Sequence, residues 1–330
     1  MLRRLRRVSR HPRTGFTLIV LGAFCLTLAP LVPWYVLPRL EQTPTDINAT
    51  NMQIATGSVF DGTGLKGPTQ FTINVRLIGD VDAGQPDGVA VWDISTQVDT
   101  PDTAGFHDPR LAMSWMVERY AFDRHTNEPV HCCGENPVHE GNAFLKFPFH
   151  VTKGTYHYWN PFVKKAFPVT YAGDVTLEGH TLYKFVGSVP PAKTGTLQLP
   201  GALIGMPDRP GLVQVDTYYR DDGDELLVDP ASGSPVSVTQ KSTTTARLPG
   251  GTTDLLTLST LTVASSADVV HATLAQVVAG DETLDTIGTT VPIGLLVAGL
   301  VLLVLGFVVS VRASRRARRE ARTELVEVGS

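Results

Sequence analysis

Two uncharged apolar stretches, one near each end of the chain, narrow the arrangements open to this sequence more than any other feature. The first, GFTLIVLGAFCLTLAPLVPWYVL, runs from Gly15 to Leu37, and the second, VPIGLLVAGLVLLVLGFVVSV, from Val291 to Val311. Each offers about 21–23 residues, enough at ~1.5 Å per residue to cross a ~30 Å hydrocarbon core as a helix. Arg3, Arg4, Arg6, Arg7, Arg10 and Arg13 precede the first stretch, and Arg312, Arg315, Arg316, Arg318, Arg319 and Arg322 follow the second. Basic flanks stay on the cytoplasmic side, so the sequence predicts a two-span plasma-membrane protein with both termini inside. A cleaved signal peptide is the competing reading of the first stretch. Its apolar run exceeds the usual h-region of about 7–15 residues, and it ends in Pro33, Trp34 and Tyr35 where cleavage wants small residues. Trp34 and Tyr35 suit the headgroup level instead, and an uncleaved anchor is expected.

Charge separates the chain further. Twelve of the 28 Lys+Arg lie in the two tails, with only three of the 32 Asp+Glu, which leaves the intervening segment near −13. Such a segment repels phosphate backbones and argues against nucleic acid as a partner. The expected organisation is a basic tail over 1–14, a span over 15–37, a β-rich extracytoplasmic domain over 38–265 in one or two lobes, a juxtamembrane helix and linker over 266–290, a span over 291–311 and a basic tail over 312–330.

Between the spans the chain reads as short strands separated by turn residues. Phe71–Ile78 alternates, the Gly79–Gly88 loop follows, and Val89–Thr96 is a second strand. Val169–Leu177 and Thr181–Val189 flank a Glu178-Gly179-His180 turn, and Val213–Tyr219, Glu225–Val228 and Leu255–Val263 continue the pattern. Asp221–Glu225 and Asp80–Asp82 fall where hairpin turns are expected and lack the ligand spacing of a calcium loop. Asp123–Val130 and Asp229–Val236 share the pattern D-x-x-[S/T]-[N/G]-x-P-V, in which Asp and Ser/Thr cap a turn and Asn127 or Gly233 takes a positive φ. Ser266 can cap a helix over Ala267–Ala279 that Gly280 ends, and Pro30, Pro33 and Pro38 should bend or stop the first span at its outer end. The fold class is mainly β, of α+β type: an antiparallel β-rich domain held between two transmembrane helices.

No catalytic arrangement, cofactor fingerprint or metal-ligand spacing emerges, and the chain is read as no enzyme, with no cofactor. Cys132 and Cys133 are adjacent, and a strand would point them to opposite faces. They pair with each other only at a sharp turn; two separate buried thiols or a bridge to another chain stay open. The nearby His131, Glu135, His139 and Glu140 carry ligand atoms, but neighbouring cysteines fit one tetrahedral zinc poorly. The densest constellation is aromatic, from Phe144 to Tyr171. Rings at that density fill a core, line an apolar pocket or dock on a membrane. The candidate lining of an apolar pocket is Phe147, Phe149, Tyr156, Trp159 and Phe162.

DRHTNEPVHCCGEN (Asp123–Asn136), LKFPFHVTKGTYHYWN (Leu145–Asn160) and VDTYYRDDGDELLVDPASGSPV (Val215–Val236), set between two spans, resemble the actinobacterial porin PorA family. The resemblance covers nearly the whole chain and implies a cell-envelope protein with channel activity; it supplies no binding residues. The spans themselves offer little polar lining for a pore; the first has Thr17, Cys25 and Thr27. The expected function is therefore non-enzymatic binding or passage of apolar, lipid-like envelope components, with the channel and a structural scaffold without ligand as alternatives. The expected partners are the lipid bilayer, apolar envelope molecules and further copies of the chain, docking through Gly294, Ala298, Gly299 or Gly306. The topology is checked with a membrane-impermeant thiol probe on intact cells. It should label cysteines engineered into Gly79–Gly88 or Asp221–Gly223 and spare those beyond Arg312, and external labelling of the C-terminal tail would overturn the orientation.

Overall fold

The computed structural model describes residues 11–84, 88–101 and 113–328. The arginines at 3, 4, 6, 7 and 10 and part of the Gly79–Gly88 loop lie outside the described residues. The chain divides into a helical unit, up to Glu41 and from Asp281 onward, and a β unit, Gln42–Gly280.

In the helical unit, α1 (His11–Leu31) continues through Pro30 into a π turn at Val32–Val36 and a last turn, α2 (Leu37–Leu40). The expected stop at the prolines is thus a local widening: proline lacks the N–H that an α-turn needs, and a π turn absorbs the defect. α4 (Val291–Val328) packs along α1. A Cβ on Gly22 would lie 2.8 Å from the Gly299 carbonyl oxygen, and one on Gly299 would lie 2.9 Å from that of Gly22, so only glycine permits this approach. Gly299 and Gly306 therefore face α1 of their own chain, while Gly294 faces open space. Two helical stretches, Thr14–Leu40 and Ala267–Arg319, are long and apolar enough to cross a membrane.

The β unit is one antiparallel sheet of ten strands: β1 (Asn48–Phe60), β2 (Leu65–Gly79), β3 (Val89–Asp99), β4 (Ser114–Asp123), β5 (Thr155–Asn160), β6 (Lys165–Leu177), β7 (His180–Pro200), β8 (Leu212–Val228), β9 (Pro235–Arg247) and β10 (Leu256–Ala264). Their order is β4-β3-β2-β1-β10-β9-β8-β7-β6-β5. Every neighbouring pair except β1–β10 is consecutive in sequence, so two meanders join where the first strand meets the last. All ten strands belong to a single sheet. It curls, and the segment between β4 and β5 spans the opening between its two edges. Arg119 of β4 exchanges both backbone hydrogen bonds with Asn136, at 2.7 and 3.0 Å. Ala143 accepts from the Trp159 N–H of β5 at 3.0 Å. Edge groups that would otherwise be open to another chain are occupied from within.

The two like-patterned turns hold that segment. Asp123 caps the first through the N–H groups of His125 and Thr126, at 2.8 and 2.9 Å, and Asn127 adopts φ 58. Asp229 caps the second through the Ser232 N–H at 2.6 Å, and Gly233 adopts φ 75. Both turns converge on Phe147: Asn127 Nδ2 donates to its carbonyl at 2.7 Å, and its N–H donates to the Gly233 carbonyl at 2.8 Å. A Cβ at Gly233 would collide with the Phe147 carbonyl.

Several boundaries differ from expectation. The expected turn at Asp221–Glu225 is a bulge inside β8, which runs unbroken from Leu212 to Val228. The expected helix end at Gly280 is overrun, since α3 spans Ala267–Asp285. One glycine costs a helix only about 1 kcal/mol, and Leu274 and Val277 of α3 are anchored against Leu182 and Val236. The core of the β unit lies inside the curl, with Phe71, Tyr120, Phe147, Trp159 and Phe185 fully buried. Phe147→Ala should cost about 3–5 kcal/mol in chemical denaturation of the detergent-solubilised protein. Phe162→Ala, at a half-buried ring, should cost clearly less; equal losses would contradict this division of roles.

Candidate functional site

Inside the curl lies a cavity of about 310 Å³, bounded by strands of both meanders, by Phe144 and Leu145 of the closing segment and by Val269 and Thr273 of α3. Most of its wall is apolar or aromatic: Val75 and Ile94 on one side, Val189, Leu226 and Val238 on another, with Trp159, Phe162 and Phe167 between. β5 places Trp159 inward by strand alternation, and its indole N–H donates to Glu118 Oε1 of β4 at 3.2 Å. This bond ties the two edge strands directly.

The residues singled out from the aromatic stretch divide among three environments. Trp159 and Phe162 stand on the cavity wall, Phe162 stacked on Tyr219 with ring centroids 5.2 Å apart. Phe147 and Tyr156 belong instead to a solid cluster with Val169, Phe185 and Val228. Phe149 lies under the ammonium of Lys146, 3.8 Å from its ring centre. Burial pulls the Lys146 ammonium down to about 8.

Sequence reasoning missed the polar part of the wall, which includes Glu118, Asn160, Asp224 and Gln240. The β8 bulge turns Asp221 and Asp224 inward. Asp221 is buried and accepts from Gln240 Nε2 at 2.5 Å, Tyr219 Oη at 3.1 Å and the Lys241 N–H at 3.2 Å. Asp224 Oδ1 is buried without a hydrogen-bond partner. Burial, with the charge of Asp221 beside it, pushes the Asp224 carboxyl up to about 8. Burial, helped by the charge of Asp224, also raises the Tyr158 phenol. The signal available in the sequence was the Asp-Asp-Gly-Asp run between two apolar strands, whose polar character reads equally well as a turn.

Behind Glu118 sits His139, fully buried, with Tyr120 edge-on at 4.3 Å and Nδ1 3.0 Å from Glu135 Oε1. Its Nε2 has no hydrogen-bond partner and lies 3.7 Å from Glu118 Oε1. Glu135 also meets the exposed His131 at 2.8 Å. Burial works to raise the Glu135 carboxyl, but hydrogen bonds from His131 and His139 outweigh it and hold it below the ordinary value. Cys132 and Cys133 are joined to each other by a disulfide in this loop, and Arg119 Nε donates to the Cys133 carbonyl at 2.9 Å. The same guanidinium pairs with Asp80 at 2.6 Å and Asp93 at 2.8 Å, so Asp80 serves an ion pair.

Asp224 makes stability depend on pH with a definite sign. Its carboxyl is raised in the folded state to about 8, against an ordinary value near 3.9 in the unfolded chain. Its contribution is full at low pH and is lost as pH rises through about 8. The melting temperature of wild type minus that of Asp224→Asn should therefore fall as pH rises from about 5 to about 9. A difference that stays flat would show that Asp224 is ionised throughout.

A family model described as porin PorA matches residues 14–308. A protein of Corynebacterium amycolatum described as porin PorA is 22% identical over 224 residues. That similarity covers 54% of this chain and 57% of the relative, so the chain spans little more than half the length of the protein it matches.

Proposed function

The chain belongs to the porin PorA family, and from that footing we propose that it is a non-enzymatic cell-envelope protein that forms a channel for solutes. The observation that carries this reading is the family match, which takes in nearly all of the first apolar helix, the whole sheet and the apolar first half of the last helix. The two apolar helices support placement in a membrane. The charge of the tails supports an orientation with both termini in the cytoplasm and the β unit outside.

One chain does not supply the conduit through its helices. Gly22 and Gly299 bring α1 and α4 into backbone contact, which leaves no lumen between them. Conduction then rests on several copies surrounding a shared path, with the unengaged faces of the helices in contact. The test is reconstitution of the purified full chain into planar bilayers. Stepwise conductance increments are expected. Silent bilayers, with incorporation verified by recovery of the protein from the same membranes, would overturn the channel.

A second reading is favoured by the cavity: the β unit holds one apolar molecule of the envelope within its curl. The cavity's about 310 Å³ lies at the lower end of the range, about 300–1,000 Å³, that small-molecule sites occupy.

A further inference from the structure

Resting on that second reading, we propose that the cavity of the β unit binds a small amphiphile with a positively charged ammonium head and a short apolar tail. The acidic character of the wall selects the head, since a cation favours the ionised form of a carboxyl beside it. Glu118 and Asp224 stand on it, and no lysine, arginine or histidine is among the described residues that line it. Glu118 is only 8% exposed, and its Oε1 receives the Trp159 indole N–H. Asp224 Oδ1 is buried with nothing donating to it. A buried acceptor without a partner costs free energy that a cation in the cavity would recover.

The groups packed around these two carboxyls do not supply that cation. Asp221 lies beside Asp224 and adds negative charge, the Tyr219 hydroxyl is engaged with Asp221, and Gln240, whose amide reaches both carboxyls, is neutral. His139, behind Glu118, does not line the cavity and is already hydrogen-bonded to Glu135. An anionic ligand such as a fatty acid would enter beside these two acidic groups, with no lysine, arginine or histidine among the described residues of the wall to receive its carboxylate.

The rings of the wall point the same way. Phe144, Tyr158, Trp159, Phe162 and Phe167 all border the cavity. The face of an aromatic ring carries negative charge density and attracts a quaternary ammonium, which combines charge with an apolar surface. Val189, Leu226 and Val238 supply an apolar remainder for a tail. The volume of about 310 Å³ suits one short chain and excludes a two-chain lipid.

The experiment is calorimetric titration of the full chain in lipid nanodiscs, with empty nanodiscs subtracted, using octyltrimethylammonium, 1-octanol and octanoate. All three share a tail, and the ammonium keeps its charge at every pH. Octyltrimethylammonium should bind at least about tenfold more tightly than 1-octanol, which corresponds to about 1.4 kcal/mol, and octanoate should bind weakest. In Glu118→Gln/Asp224→Asn the ammonium should drop to the affinity of 1-octanol, whose own binding stays unchanged and certifies the fold. Should that double variant fail to bind 1-octanol, the single variant Asp224→Asn is read in its place, with a several-fold loss for the ammonium alone. Equal binding of ammonium and alcohol to wild type, or tight octanoate, overturns the charged-head assignment and leaves the apolar cavity reading standing. No binding of any probe above empty nanodiscs overturns both.

Discussion

An antiparallel sheet that curls without closing leaves two strands with unpaired backbone groups, and satisfying those of β4 and β5 is the constraint on which the β unit depends. The chain between them meets it by pairing Asn136 with β4 and Ala143 with β5. That segment would gain little if it were free to move, because ordering each residue costs about 1–2 kcal/mol of backbone entropy. It is held from two sides. The turns at Asp123 and Asp229 clamp Phe147 by its carbonyl and its N–H, and the ring seats in the core against Tyr156 and Phe185. Arg119 adds a third anchor at the disulfide loop.

Closure of this kind explains why a cavity survives inside. The segment crosses between the edges as an irregular chain: Phe144 and Phe147 pack among the rings of the core, while Phe144 and Leu145 also border the void. Packed interiors keep few voids larger than a water molecule, and one of about 310 Å³ at the centre of a sheet is an exception. Its polar groups follow from the same geometry. A bulge in β8 puts Asp221 and Asp224, three residues apart, on the same inner side, which regular alternation would not do. Glu118 meets Trp159 only because the edges β4 and β5 approach each other.

The helical unit works by a different principle. Apolar side chains gain nothing from one another in lipid beyond what the lipid already offers, so close backbone approach and packing must hold α1 against α4. The glycines at 22 and 299 provide that approach. A hairpin so tightly joined leaves no lumen between α1 and α4 in this porin PorA family member.

Much of the architecture is legible in the sequence, for physical reasons that act locally. Uncharged runs over Gly15–Leu37 and Val291–Val311 satisfy their own backbone only as helices, and both are helical. Alternation and turn chemistry mark β2, β3, β6 and the start of β7, and the two Asp-initiated turns form as their capping oxygens require. The mainly β class follows from these. The Thr-rich β9 and the aromatic β5 escape such reading, because polar or bulky residues become strands through neighbours supplied by distant segments. The candidate site was legible only in part. Trp159 and Phe162 announce themselves as large apolar groups, yet whether a ring meets a void or other rings depends on what packs opposite it, and Phe147 and Tyr156 meet rings. Glu118 and Asp224 carry no local signal of burial. A carboxylate's surroundings are set by the strand that curls over it, and that is a property of the tertiary structure alone.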